Sequence, residues 1–338
     1  MSLNTVTIAE QRLIKHKLFP LVVAATDAEA GFSDSELHQW MRNHRVEIHK
    51  RLIDHGAVLL RGFPVSTADA FEQLLDQTQY QNMPYIGGAA PRNKVTESRI
   101  VTANEAPASE SIPFHHEMAQ VPTPPGYIFF FCDVASETGG STSLLHSGEV
   151  CEVFFELNPE FAKTVESEGV CYTRVMPSET DTSSPIGRSW KETFNASSRN
   201  DAELAMKDAA MAWEWLEDNS LRTTTQILPG IRYDEETDQR VFFNSISAVY
   251  NGWDDARNEG KKAVTTGTGK PMDAEVLDAL TAKMSELAVN FRWQPGDVLL
   301  INNHTVLHAR QPYTGERRIL AAIAFKETAG TNSYHRRA

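Results

Sequence analysis

The sequence predicts a mainly β protein, one sandwich or barrel carrying helical inserts. Two observations point there. From about residue 97 the chain breaks into short β-type apolar runs separated by Gly and Pro, whereas helical periodicity is confined to the N-terminal part and a few later inserts. No internal repeat, heptad or low-complexity tract suggests a solenoid or coiled coil. The length of 338 residues is compatible with one large domain or two modest ones. The even spacing of the strands favours a single domain over 1–338, with an N-terminal part (1–95) packed on a core (96–330).

Taken in order, residues 34–55 place Leu37, Trp40, Met41, Ile48, Leu52 and Ile53 at helical spacing, with Gly56 as the stop. GAVLLRGF (56–63) reads as a buried strand, and 68–77 as a second amphipathic helix carrying Phe71, Leu74 and Leu75. YIGGAAPR (85–92) is too rich in turn formers for a regular element. RIVTAN, IPFHHEMA, GYIFFFCDV and GSTSLLHS form a first group of strands, followed by a helical insert at 147–167 capped by Ser147. VCYTRV (170–175), RVFFNSI (240–246), DVLLINN (297–303) and RRILAAIAFK (317–326) are further strands, and 201–216 and 273–290 further helices. The polar, Ser/Thr/Pro-rich stretch 176–198 suits a surface loop or lid.

Composition excludes several classes. Hydrophobic residues at 41% and charged residues at 23% describe a globular chain. Asp plus Glu outnumber Lys plus Arg by 45 to 32, a formal charge of -13 that repels phosphate backbones and anionic lipid, so neither nucleic acid nor membrane is an expected partner. The N-terminal segment lacks the apolar stretch of a secretory signal. Cys132, Cys151 and Cys171 show no C-x-x-C spacing and read as small apolar residues in a reducing compartment, so a cytoplasmic location is expected. Composition is silent on oligomeric state.

The sharpest chemical feature is SIPFHHEMAQ (111–120). An extended 114–118 puts His115 and Glu117 on one face, with Phe114, His116 and Met118 on the other. Imidazole and carboxylate side by side supply two adjacent positions of a metal's coordination sphere. An H-x-E alone occurs by chance, but 293–325 adds His308 as a third candidate ligand, and two His plus one carboxylate is the facial set of non-haem Fe(II) oxygenases. His304 competes at i, i−4, yet no H-E-x-x-H accompanies the pair, so His304 and His116 are expected to be hydrogen-bonded, partly buried imidazoles. Arg318 opens an apolar strand, where a guanidinium needs an anion, and is the expected partner of an acidic cosubstrate; Arg317 is expected to face solvent. GGST (139–142) adds close backbone approach and the Thr142 hydroxyl. Trp253 and Phe243 read as core.

The ordered set H-x-E, GGST, Asn303-x4-His308 and Arg318, together with GAVLLRGFPV, YIGGAAPR, TANEAP, SSPIGRSWK, FFNS and WQPGDVLLINN, resembles the TauD/TfdA family of Fe(II)/2-oxoglutarate-dependent oxygenases, in particular its clavaminate-synthase-like branch, over about 56–326. The resemblance implies a double-stranded β-helix (jelly-roll) core with helical inserts. It implies His115, Glu117 and His308 as iron ligands, Thr142 and Arg318 as the holders of the distal carboxylate of 2-oxoglutarate, and O2 as the oxidant. Glu117 stands where halogenating relatives lack a carboxylate, which favours hydroxylation or a related oxidation of a C–H bond; the expected substrate is a small metabolite, amino-acid-derived or from secondary metabolism. In the taurine enzyme an arginine four residues beyond the cosubstrate arginine grips the sulfonate; that position here is Ala322, which argues against taurine. Arg92, Asn104, Arg188 and Lys191 are candidate substrate contacts, and Arg310 is placed near the site by the resemblance, to orient cosubstrate or Glu117. A catalytically silent metal- or ligand-binding jelly roll, or a zinc hydrolase on the same ligands, are the alternatives from other classes.

Overall fold

A computed structural model describes residues 3–104 and 106–326, so 327–330 of the expected core lie outside the described residues. A seven-stranded sheet runs in the order Thr5–Val6, Leu21–Ala24, Ala57–Arg61, Val298–Asn302, Tyr127–Val134, Arg318–Ala324, Val101–Thr102. Its pairs are antiparallel except that of Leu21–Ala24 with Ala57–Arg61. A four-stranded sheet, Val289–Phe291, Thr142–His146, Val306–Arg310, Ile112–His115, packs against it. This is the predicted jelly roll with helical inserts.

Side-chain alternation explains the layers. Ile128, Phe130, Cys132, Leu299, Ile301, Ile319, Ala321 and Ile323 from the large sheet meet Leu144, Val289, Phe291 and Val306 from the small one in a single core cluster. The opposite face of the large sheet, with Phe129, Phe131, Leu300 and Leu320, is covered by Leu37, Trp40, Met41 and Leu52 of the helix Asp34–His55 and by Phe71, Leu74 and Leu75 of Ala68–Asp76. The outer face of the small sheet, with Phe114, Leu145 and Leu307, packs on helices Ser147–Leu157, Ile246–Gly252 and Ala274–Leu287. Strands buried on both faces lose polar alternation, which is why Tyr127–Val134 reads as one apolar run.

Several elements differ from expectation for identifiable reasons. The insert 147–167 is two helices, Ser147–Leu157 and Pro159–Glu168, because Asn158 caps the second and Pro159 starts it. Ser147 is not a cap but the first helical residue, its hydroxyl taken by His116 Nε2 at 3.0 Å. The helix expected over 201–216 is Arg199–Asp208; beyond it Ala212–Trp215 pairs with Leu221–Thr224, as its two tryptophans favour. RVFFNSI keeps only Gln239–Val241 as strand, since Asn244 Oδ1 accepts from Ile246 N at 2.8 Å and turns the chain into Ile246–Gly252. The helix at 273–290 ends at Leu287, and Val289–Phe291 becomes an edge strand. The short N-terminal strands from Thr5 to Ala24 carry no periodicity that marks them in the sequence. Cys132 and Cys151 are buried and Cys171 half-buried, and none forms a disulfide.

Candidate active site between the sheets

Register decides which side chains enter the interior. Leu307 lies in the outer cluster and Val306 in the inner one, so His308 and Arg310 of the same strand face inward with Val306. His308 is the register partner of His115 on one side and of Leu144 on the other, and Arg310 is that of Thr142. Three adjacent strands thus deliver His115, His308 and Thr142 to one interior surface.

Glu117 arrives differently. The strand stops at His115, and 117–120 form a turn with Met118 at φ 52, so strand alternation is not what aligns the H-x-E pair. The turn is clamped by Asn303, which is fully buried: its Oδ1 accepts from Glu117 N at 2.8 Å, and its Nδ2 donates to Glu117 O at 3.0 Å and Pro125 O at 2.8 Å. His116 is buried on the far side, its Nδ1 hydrogen-bonded to Asn303 O and its Nε2 3.0 Å from the Ser147 hydroxyl and 3.1 Å from Phe242 O. Ligating atoms of His115, Glu117 and His308 all lie within 4.8 Å of one another, and His308 Nε2 is 3.8 Å from Glu117 Oε2.

The protonation states suit a metal. His115 Nδ1 is 2.8 Å from Pro113 O; a carbonyl only accepts, so the proton is on Nδ1 and the lone pair on Nε2. Burial pushes the pKa of His115 down, against the pull of Glu117, and pushes that of His308 well below its ordinary value, with His115 adding to the effect. Both rings are therefore neutral at neutral pH, as metal ligation requires. Two neutral imidazoles and one carboxylate, with His308 Nδ1 a buried atom lacking any hydrogen-bond partner, fit a divalent metal.

Two cavities meet at this cluster. The smaller is lined by Thr142, Phe130, His308, Arg310, Arg317 and Ile319. Here the structure reverses the expected arginine. Arg317 lies inward and donates from Nε to Gly140 O at 2.9 Å, and burial lowers its pKa to about 10. Among the described residues it pairs with no carboxylate. Arg318 points out, half exposed, and pairs with Asp133 at 2.8 Å. Ile319 belongs to the inter-sheet cluster, and at the start of its strand, where the register against Tyr127–Val134 shifts, Arg318 lies outside and Arg317 inside. Thr142 lines this cavity, its hydroxyl accepting from Trp293 Nε1 at 3.1 Å. The residue four beyond Arg317 is Ala321, again without a charge.

The larger cavity, about 790 Å³, opens from His115 and Glu117 toward solvent. Arg92 and Asn104 line both cavities, and Arg92 Nη2 holds Glu117 Oε2 at 2.8 Å. Asp181, Ser183, Ser184, Pro185 and Ile186 of the expected lid segment form part of the wall. Trp253, expected as core, is buried and also a wall residue, whereas Phe243 is core and stacks on His116 and His304. His304 stays outside the ligand cluster.

Other candidate contacts are not brought to the cavity. Arg188 donates to Tyr85 O at 3.1 Å and Gly88 O at 3.3 Å, and Lys191 pairs with Glu179 on the surface. Arg310 lines the smaller cavity, but its guanidinium binds the carbonyls of Ala106, Pro107 and Glu110 at 2.7–2.8 Å, holding the 106–110 loop. The sequence does not reveal that Arg317 lies inward, nor that Asn303, for all its fixed spacing to His308, clamps the Glu117 turn. Nor does it mark Tyr85, whose ring lies between Arg92 and Arg188 at 4.3 and 4.9 Å. Among the described residues no helix is long and apolar enough to cross a membrane.

Comparison with known proteins agrees with this architecture. The model of the taurine catabolism dioxygenase TauD, TfdA family matches residues 17–323. A clavaminate synthase-like protein of Arabidopsis thaliana is 41% identical over 319 residues, covering 94% of this chain and 96% of that protein. A dapdiamide synthesis protein of Enterobacter agglomerans is 27% identical over 320 residues, covering 90% and 93%. In fold, the chain is similar to an asparagine oxygenase solved with Fe(II), 2S,3S-3-hydroxyasparagine and succinate, at a TM-score of 0.55 and 12% identity over 90% of this chain and 93% of that one. A family match over nearly the whole chain, on a jelly roll whose register gathers two histidines and a glutamate, shows that the protein belongs to the TauD/TfdA family of Fe(II)/2-oxoglutarate-dependent dioxygenases.

Proposed function

We propose that His115, Glu117 and His308 hold the Fe(II), that Thr142 and Arg317 hold the distal carboxylate of 2-oxoglutarate, and that the enzyme hydroxylates a C–H bond of a small, amino-acid-like metabolite. The observation that carries the reading is the convergence of the three ligand side chains where two cavities meet, one of them ending on an inward arginine that no carboxylate neutralises among the described residues. Fe(II) with 2-oxoglutarate supplies the oxidising chemistry, yielding succinate and CO2.

The protein's own residues do the placing. Arg317, half-buried, presents a fixed fork and the buried Thr142 a hydroxyl to the diacid, and removal from water strengthens such contacts. The inter-sheet core of Phe130, Ile319 and Leu144 keeps water from the cosubstrate end. On the substrate side, the cavity offers Arg92 and Asn104 near the ligands and Gln120, Ser245 and Asn251 on its walls, with Glu110 and Asp254 toward its rim. That mixture suits a small zwitterion with its carboxylate toward Arg92 and its cationic group toward the rim. The 176–198 segment acts as cover over this cavity.

Anaerobic Fe(II) and 2-oxoglutarate should produce the weak visible metal-to-ligand charge-transfer band, and zwitterionic amino acids should stimulate succinate release above the uncoupled background. Absence of the band in folded, iron-loaded protein defeats the ligand assignment. Stimulation by neutral or purely anionic compounds alone defeats the substrate class.

A further inference from the structure

Arg92 stands in an unusual position. Its Nη2 lies 2.8 Å from Glu117 Oε2, the same oxygen that is 3.8 Å from His308 Nε2. Both side chains are almost fully removed from solvent, at 6% and 4% exposure. Nε and Nη1 of Arg92 are buried without hydrogen-bond partners, although the guanidinium lines both cavities. Its other described neighbour is Tyr85, whose ring centroid lies 4.3 Å from the guanidinium carbon and whose hydroxyl also acts on the cation.

Three facts follow from elementary electrostatics. A carboxylate this deep needs a cation beside it, and in the structure Arg92 is that cation. A metal held by Glu117 and His308 would lie beside the carboxylate that Arg92 engages, and two cations on one carboxylate repel each other. A guanidinium set aside by a metal has room in the 790 Å³ cavity, where its unpartnered donors can serve a carboxylate.

We propose that Arg92 is a place-holder cation: it neutralises Glu117 until a divalent metal takes the carboxylate, and it is thereby released toward the substrate cavity. The proposal rests on the assignment of His115, Glu117 and His308 as the metal ligands. It makes Arg92 a positioning residue that couples metal loading to readiness for an anionic group. The ordinary alternative is that Arg92 is an outer partner that steadies Glu117 as a ligand.

The sign of one affinity change separates these. Mn(II) binding is measured by calorimetry on the full chain, without cosubstrate or turnover, for wild type, Arg92→Gln and Arg92→Lys. A place-holder predicts that Arg92→Gln binds Mn(II) about tenfold tighter, because no buried ion pair has to be broken, with Arg92→Lys in between. An outer partner predicts roughly 10- to 100-fold weaker binding, and that result, or unchanged affinity, overturns the proposal. A second measurement needs no variant: phenylglyoxal modification of Arg92, located by peptide mass spectrometry, should rise when the wild-type protein is loaded with Mn(II). Equal or lower labelling overturns the proposal even if the variants fail to fold. A wild-type protein that binds no Mn(II), or a His308→Ala variant that binds it equally well, would instead refute the ligand assignment beneath it.

Discussion

His115 and His308 are direct register partners on neighbouring antiparallel strands, their ring centroids 4.2 Å apart at an interplanar angle of 48°. A cross-strand pair on a non-polar interior face is ordinarily filled by apolar residues. Two neutral imidazoles there gain little packing advantage and retain an unpartnered nitrogen, His308 Nδ1. Removing His308 should therefore cost metal binding rather than fold. His308→Ala is expected to abolish stoichiometric Mn(II) binding while its urea midpoint without metal stays near wild type. His116→Ala should show the reverse emphasis, losing about 3 kcal/mol of stability because Asn303 O and the Ser147 hydroxyl are left unpaired in the core. Equal metal loss with equal destabilisation in both variants would contradict the division of labour.

Adjacent arginines provide a sharper contrast. Arg317 is inside, beside Thr142, and Arg318 is half exposed on Asp133. Arg317→Ala should weaken 2-oxoglutarate binding by about 100-fold or more, since a charge-assisted bidentate contact in a buried site contributes about 3 kcal/mol. Arg318→Ala removes a surface ion pair and should change the same affinity less than about threefold. Titration of the charge-transfer band with 2-oxoglutarate measures both. A larger effect at 318 than at 317 would return the cosubstrate role to Arg318.

That contrast also shows where the sequence is informative. GYIFFFCDV, DVLLINN and RRILAAIAFK are readable as strands because both faces are buried, one against the second sheet and one against helices. The same double burial erases the alternation that tells inside from outside, so Arg317 and Arg318 are indistinguishable until Ile319 is known to face the second sheet. His115, Glu117, Thr142 and His308 are legible because side-chain chemistry marks them individually. Asn303 is not, because its work is done through the backbone of Glu117 and Pro125, which lie far away in sequence. The N-terminal strands are too short to leave a local signal, and Leu21–Ala24 depends on its parallel pairing with the distant Ala57–Arg61.

The Asn303 clamp makes its own prediction. Its amide satisfies three backbone groups, one N–H and two carbonyls, in a fully buried turn. Asn303→Ala leaves all three without that partner, at a cost of roughly 2–4 kcal/mol in urea unfolding. Because the turn positions Glu117, Mn(II) affinity should fall by at least about tenfold as well. Asn303→Asp keeps the acceptor for Glu117 N but loses both donated bonds and adds a charge, so it should be no better than the alanine. A variant with wild-type metal affinity and reduced stability would show that the clamp supports the fold alone.

Acid sensitivity follows from a histidine away from the ligands. His146 is buried at the end of its strand, its Nδ1 has no hydrogen-bond partner, and Phe19 meets its ring edge-on at 6.1 Å. Burial lowers its pKa from 6.5 to about 4, with Lys15 and Arg12 pushing the same way and Asp234 opposing. The unfolded chain thus takes up a proton before the folded one does, so stability rises with pH between about 4 and 6.5 and is lost on acidification through that window. The full loss by pH 4 is on the order of 3 kcal/mol from this group. Urea unfolding of chelator-treated protein across this range should therefore show a steeper pH slope for wild type than for His146→Gln, by about one proton. Parallel slopes would mean that His146 is solvated in the folded protein and does not contribute to acid unfolding.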